Sequence, residues 1–106
     1  MANLTRQDDG VLLVGNARIT IHLYRGPTSY VSGGEAITAA DLGLKVLQVL
    51  LPTLAVGIII GVASYRLIEW NQSTNKLVWF NTAAGVETSP GTDFSACTCL
   101  LVAIGK

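Results

Sequence analysis

The sequence predicts an all-β, single-domain protein, built as a β-sandwich or as a jelly-roll or barrel-like body with one short helical turn. Strict alternation of apolar and polar residues in an early segment favours strands, and so do the β-branched residues that fill the most apolar stretch. Turn-forming residues separate the short apolar runs, as they do in sandwiches and barrels. A length of 106 residues suits a single core. We expect a polar N-terminal arm at residues 1–10 and one β domain at residues 11–106.

The first well-marked strand covers residues 18–24, which follow a short apolar segment at 11–14. Aliphatic residues occupy every second position of this strand, and Thr20, His22 and Tyr24 alternate with them. Such alternation is typical of a half-buried strand, with His22 on its more polar face. His22 is the only histidine, and no paired carboxylate accompanies it. We therefore expect its ring to be solvated or hydrogen-bonded and to bind no metal.

A loop and a helical turn follow this strand. Residues 25–35 form the loop, because glycine and proline set turns along this segment. Thr38 and Asp41 have the spacing of a capping box. This spacing predicts one helical turn at Ala39–Leu42, which ends at Gly43.

Residues 46–63 are the most apolar stretch and allow two interpretations. Their length and hydropathy fit a membrane-spanning helix. Pro52, however, would break a helix, and the many valines and isoleucines favour strands in water. We predict two buried strands, Val46–Leu51 and Ala55–Ala63, which separate at Pro52-Thr53. The alternative is a holin-like membrane protein with its span at 46–63.

The second half of the chain predicts a hairpin and a central strand. Strands at Tyr65–Trp70 and Lys76–Phe80 flank a polar loop of five residues, a common hairpin length. Residues 94–104 are apolar on both faces toward their end, which is typical of a central strand buried on both sides. The aromatic residues of the hairpin are expected to pack in the core; they are Tyr65, Trp70, Trp79 and Phe80.

The composition indicates a protein that must hide apolar surface. Half of the residues are hydrophobic and only 13% are charged, about half the usual share. Either another protein or a bilayer must cover what so few charges leave exposed. Seven basic and seven acidic residues are scattered singly apart from Asp8-Asp9, so direct nucleic-acid binding is not expected. The polar N-terminus lacks the pattern of a secretory signal, which indicates folding in a reducing cytoplasm.

The sequence offers no recognisable site for catalysis, a metal or a cofactor. Its carboxylates are spread out, no nucleophile elbow is present, and His22 would have to perform every acid–base step alone. Cys97 and Cys99 would share one strand face, poorly placed to bridge each other, and are expected to be buried free thiols. The Gly33-Gly34 pair is an ordinary turn, because no Lys-Ser/Thr sequence follows it. We predict a protein that is not an enzyme, with no cofactor and no small-molecule substrate.

Three stretches of the chain resemble small structural proteins of tailed phages. The segment Ser29–Leu44 follows a recurring pattern, Tyr-x-Thr/Ser-Gly-Gly-Glu-x-Leu/Ile-Thr-x-x-Asp-Leu-Gly-Leu, and is the most specific of the three. Ile68–Leu77 and Asp93–Lys106 are similar to two further, more generic β patterns. The resemblance covers most of the chain from Tyr30 onward. The family that the chain resembles is that of the capsid decoration, or cement, proteins.

The resemblance implies a homotrimer that binds the major capsid protein on the outer surface of the virion and reinforces the capsid. Such a protein is made in the host cytoplasm and, in this role, contacts neither a membrane nor nucleic acid. The polar arm is expected to lie over neighbouring capsid subunits. The expected contact residues are Arg6, Asp8, Asp9, Tyr30 and Glu35. The other alternative is a head-fibre or receptor-binding component of the virion.

Overall fold

The computed structural model describes residues 3–7, 11–12, 17–53, 55–59, 62–81 and 86–106. Within these ranges the chain forms one curled antiparallel sheet that makes a half-barrel, and the predicted all-β, single-domain class is confirmed. The strands are β1 (Asn3–Arg6), β2 (Val11–Leu12), β3 (Arg18–Arg25), β4 (Glu35–Ala36), β5 (Leu47–Pro52), β6 (Ala55–Ile59), β7 (Val62–Asn71), β8 (Lys76–Phe80) and β9 (Cys97–Gly105). One 3-10 turn lies at Ala40–Leu42, inside the predicted helical turn.

Strand β9 is the centre of the sheet. The strand order is β1-β3-β9-β6-β7-β8-β4, with β2 added beside β3 and β5 beside β9. One edge of β9 pairs with the whole of β3, and β5 and β6 share the other edge. Between those two strands, Thr53 accepts a hydrogen bond from the Leu100 N–H through Oγ1 and donates its own N–H to the Leu100 carbonyl. The predicted central strand is confirmed, but Leu100 is 41% exposed, so its predicted burial on both sides is wrong.

Strand β7 pairs with different strands along its two halves. Its first half pairs with β6, in a register that places Arg66 opposite Ala55. Its second half pairs with β8 up to the pair Asn71–Lys76, and this confirms the predicted hairpin. In the connecting turn, the Asn71 side chain accepts hydrogen bonds from the N–H groups of Ser73 and Thr74. Strand β7 therefore connects β6 to the β8 and β4 end of the sheet.

The polar face of β3 lies inward, which reverses the predicted orientation of this strand. Thr20, His22 and Tyr24 are at most 3% exposed, whereas the aliphatic residues between them point outward and are half-buried. Burial is tolerated because the polar atoms have partners. Thr20 Oγ1 donates to the Leu42 carbonyl at 3.1 Å, and His22 Nε2 lies 3.1 Å from the same oxygen. The expectation that His22 is hydrogen-bonded is confirmed, and its placement on the solvent side is wrong.

Aromatic residues from distant parts of the chain meet in the core. The Trp79 ring stacks on Phe94, with centroids 4.1 Å apart and planes 14° from parallel. Tyr24 tilts against Trp79 at 6.0 Å, and Tyr30 meets Phe94 edge-on at 5.9 Å. The prediction that the hairpin aromatics pack in the core is confirmed for Trp79, and Trp70 packs against the core from its edge. Trp70 and Phe80 are half-buried, and Tyr65 is 53% exposed because it points away from the core.

The apolar stretch 46–63 is divided next to Pro52 as predicted, but the predicted single strand Ala55–Ala63 is wrong, and the strands are not buried on both faces. Strand β5 ends at Pro52 and β6 begins at Ala55, while Val62 already belongs to β7. Leu50 is 3% exposed and its neighbour Leu51 is 54% exposed, which is the alternation of a two-faced sheet. The structure therefore forms strands β5 and β6 and the start of β7 in this stretch, where the alternative interpretation required a membrane-spanning helix.

The N-terminal segment is part of the sheet. Asn3–Arg6 forms edge strand β1, which pairs antiparallel with β3 and places Arg6 opposite His22. The Gln7 N–H continues the ladder with a hydrogen bond of 2.7 Å to the Ile21 carbonyl. Where a polar arm was predicted, residues 3–7 thus have the hydrogen bonds of a strand.

Substituting Gly34 by alanine is expected to destabilise the fold more than the same substitution at Gly33. Both glycines have positive φ, 104° and 95°, a conformation that costs an L-residue about 1–2 kcal/mol. A Cβ on Gly34 would also overlap the Leu77 carbonyl, whereas one on Gly33 meets nothing within 4 Å. We expect losses of about 1–2 kcal/mol for Gly33→Ala and about 3 kcal/mol or more for Gly34→Ala. Urea unfolding followed by tryptophan fluorescence measures both, and equal losses would contradict the close approach of this turn to β8.

Candidate functional site

The segment Ser29–Leu44, which carries the resemblance to phage proteins, is fastened to the core at Tyr30. The Tyr30 hydroxyl accepts a hydrogen bond from the Trp79 backbone N–H at 3.1 Å and donates one to Glu87 at 2.7 Å. Glu87 also accepts the Gly33 N–H at 2.6 Å. Burial raises the pKa of Tyr30 to about 12, and the hydrogen bonds from Gly33 and Tyr30 lower the pKa of Glu87. One carboxylate thus holds the start of the segment and its glycine turn together.

Glu35, in strand β4, is bound to a second buried tyrosine. The Tyr24 hydroxyl donates to Glu35 Oε1 at 2.5 Å and accepts a hydrogen bond from the Trp79 indole N–H at 3.4 Å. Burial raises the pKa of Glu35, and the hydrogen bond from Tyr24 offsets part of that rise. Burial and the neighbouring carboxylate also raise the pKa of Tyr24. Two tyrosine–glutamate pairs therefore flank Trp79, one at its side chain and one at its backbone.

The end of the same segment forms the short helical turn. Thr38 and Asp41 exchange hydrogen bonds, since the Thr38 N–H donates to Asp41 Oδ2 at 3.0 Å and the Asp41 N–H donates to Thr38 Oγ1 at 3.2 Å. This is the predicted capping box. Gly43 ends the turn in the left-handed conformation, and a side chain there would meet Arg6 Nη1 at 2.8 Å. The Arg6 guanidinium therefore lies over Gly43 and connects β1 to the turn.

The predicted contact residues do not gather into one patch. Arg6 is exposed on β1, and Glu35 is half-buried against Tyr24. Tyr30 is 1% exposed, so the structure places it in the core and not on the surface. Asp8 and Asp9 lie outside the described residues. Within this chain, the segment Ser29–Leu44 makes hydrogen bonds that hold the fold together.

The thiols are those of core residues. Cys97 and Cys99 are free, at most 5% exposed, and on the same face of β9, as the sequence predicted. Burial raises the pKa of both, that of Cys99 to about 12. In the described part of the chain, no three His, Cys, Asp or Glu side chains lie close enough to hold a metal ion. Among the same residues, no helix has the length and apolar character needed to cross a bilayer.

An exposed apolar surface lies on the outer face of the sheet, by which we mean the side chains of β3, β5, β6, β7 and β9 that point away from the core. Its most exposed large residues, at 38–55%, are Val49, Leu51, Val56, Tyr65, Leu67 and Leu100. The face is continuous across strands, since Val56 lies opposite both Tyr65 and Thr98. Arg25 and Glu69 lie at its margins, and no ionisable side chain points outward between them from the described parts of these strands.

The sequence contained a signal for this face that its strand patterns did not locate. The low share of charged residues indicated uncovered apolar surface, but the pattern of β3 assigned the aliphatic side to the core. Glu87, which organises the glycine turn, had no signal because it lies in a polar loop 57 residues from Tyr30. No protein-family model, no curated protein and no solved structure matches this chain. What we infer from the outer face and the glycine turn therefore rests on the residues of this chain.

Stability is expected to respond to pH in opposite directions through the two glutamates. The folded-state pKa of Glu35 lies above its ordinary value of 4.5, so its contribution to the free energy of unfolding falls as pH rises from about 4.5 through that raised pKa. The pKa of Glu87 lies below 4.5, so its contribution is present above 4.5 and is lost as pH falls through the lowered pKa.

Glu35→Gln and Glu87→Gln form a matched pair for this test. We expect Glu35→Gln to flatten the dependence of stability on pH above about 4.5, and Glu87→Gln to flatten it below that value. Urea unfolding at intervals from about pH 3 to pH 8 measures both, across the range where such carboxyls titrate. A Glu35→Gln variant with the unaltered profile of the parent chain would contradict the burial of this carboxyl.

The two cysteines are expected to resist alkylation while the protein is folded. Burial keeps both thiols protonated and out of contact with reagent at pH 8, and the thiolate is the reactive form. Iodoacetamide followed by intact-mass measurement should find no adduct on the native chain and two adducts after unfolding in urea. An adduct formed within minutes under native conditions would show that β9 opens readily at this end.

Proposed function

We propose that this chain is a structural virion protein that binds the outer surface of a phage capsid as an oligomer, with a trimer expected, and reinforces that capsid. The observation that carries the proposal is the outer face, where six large apolar residues are 38–55% exposed with no charge among them. A chain with such a face works in contact with other protein. Assembly into an oligomer on a capsid would cover this face with other protein.

The resemblance of Ser29–Leu44 supports the capsid part of the proposal. Each distinctive residue of that pattern has a definite task in this fold: Tyr30 anchors, Gly34 turns with positive φ, and Glu35 binds a core tyrosine. The resemblance to decoration proteins thus lies in residues that build the body of this chain, and the capsid contact is proposed from that resemblance.

An oligomer would also reinforce a capsid efficiently. Capsid surfaces repeat, so that several copies held together can each make a modest contact with an equivalent position. After the first contact, the others form at a high effective concentration, and overall affinity exceeds that of one copy by about 100-fold or more. Arg6 on edge strand β1 stays a predicted contact with the major capsid protein.

Co-sedimentation with capsids tests the proposed function. Purified protein is mixed with capsids assembled from the major capsid protein of the same virus, and the pellet is assayed over a range of protein concentrations. We expect saturable binding in a fixed ratio to capsid subunits, and decorated capsids that withstand a higher temperature before they rupture. Capsids heated without the protein are the control.

Two results would overturn this proposal. If the protein stays in the supernatant at every concentration, it does not bind capsids and the proposed function is wrong. An oligomer that ignores capsids but binds host-surface glycans would instead support the head-fibre or receptor-binding alternative.

A further inference from the structure

We infer that the outer face of the sheet is the surface through which copies of this chain associate with one another. The inference rests on the proposed assembly into an oligomer and identifies the part of the molecule that holds it together. The capsid contact is then made by other parts of the chain, with Arg6 and β1 the exposed candidates.

The size of the face fits an interface between copies. The six residues Val49, Leu51, Val56, Tyr65, Leu67 and Leu100 are 38–55% exposed. Taking roughly 150–220 Å² for a fully exposed side chain of these types, they offer about 500 Å² of apolar surface. Half-buried neighbours such as Ile21 and Val102, which lie opposite each other, enlarge it. A stable interface buries about 800 Å² on each partner, so most of one such surface is present.

The chemistry of the face favours a copy of the same chain over a different partner. Interfaces between different proteins are about as polar as the rest of a protein surface, whereas homodimer interfaces are more apolar. This face has no charge between Arg25 and Glu69, and Thr98 and Tyr65 bring hydroxyl groups to it. An apolar surface without charges meets its own copy without repulsion.

Timing supports the same occupant. A face that must be covered needs its partner from the moment the chain folds, before any finished capsid exists. Other copies of the chain are made at the same time and in the same place.

Matched charge substitutions test the inference. Val56→Glu and Leu51→Glu place a carboxylate on the outer face, where both side chains are more than half exposed, so the isolated fold should tolerate them. Val31→Glu makes the same change at a side chain that is 66% exposed, outside that face, in the loop before the glycine turn. All four proteins are compared by size-exclusion chromatography with light scattering, and circular dichroism checks that each one is folded.

We expect the parent chain and Val31→Glu to elute as one oligomer near three times 11.2 kDa, and the two outer-face variants as folded species of 11.2 kDa. An unpaired charge buried in the interface should weaken association by about 100-fold or more. If Val56→Glu and Leu51→Glu remain oligomeric at the concentrations used for the parent chain, the inference is overturned.

Capsid binding by the same proteins separates this inference from the proposed function. An oligomeric parent chain that does not bind capsids overturns the function and leaves the interface standing. A monomeric parent chain whose capsid binding is abolished by Val56→Glu, and not by Val31→Glu, shows that the capsid covers the outer face and overturns the interface between copies.

Discussion

The stack of Trp79 on Phe94 is the contact on which the rest of the structure depends. The Trp79 indole N–H binds the Tyr24 hydroxyl on β3, and its backbone N–H binds the Tyr30 hydroxyl in the loop that follows. Its carbonyl accepts the N–H of Thr88. One residue of β8 thus connects the central sheet, the glycine turn and the segment 87–94. Because each tyrosine passes a hydrogen bond on to a glutamate, the position of the ring also sets the position of two carboxylates.

The sheet built around this contact has two faces with opposite chemistry. The inner face holds aliphatic side chains, the aromatic rings, the thiols and hydrogen-bonded polar groups such as Thr20 and His22. The outer face is mostly apolar across five strands. Most water-exposed sheets place their polar residues outward. Strand β3 instead turns its polar residues inward and its aliphatic residues outward. The apolar outer face that results is the physical basis for proposing an assembling protein.

Strand positions were predictable where turn-forming residues mark the ends of an apolar run. Pro52-Thr53 divided the apolar stretch, and the polar residues after Trp70 marked the hairpin turn. The Thr38–Asp41 pair predicted the helical turn because its hydrogen bonds are local. Each of these features depends on residues within a few positions of one another, which is the range over which a sequence pattern carries information.

The orientation of β3 was not predictable, because period-two alternation gives two faces without saying which is inside. The partner that satisfies the inward-facing Thr20 hydroxyl is the carbonyl of Leu42, 22 residues further along the chain. Tyr30 misled for a related reason. A tyrosine among Thr, Ser and Gly has the composition of an exposed loop, but Glu87 and Trp79 supply partners for its hydroxyl from far along the chain.

The central position of β9 has a consequence for how the chain is made. The eight other described strands precede β9 in the sequence, and three of them, β3, β5 and β6, take it as a sheet neighbour. During synthesis those strands leave the ribosome with unpaired edges and must wait for residues 97–105 before the ladder can form. Long-range pairing of this kind is slow, and apolar strands that wait are prone to aggregate. A shortage of chaperones should therefore lower the yield of folded protein before it alters the finished fold.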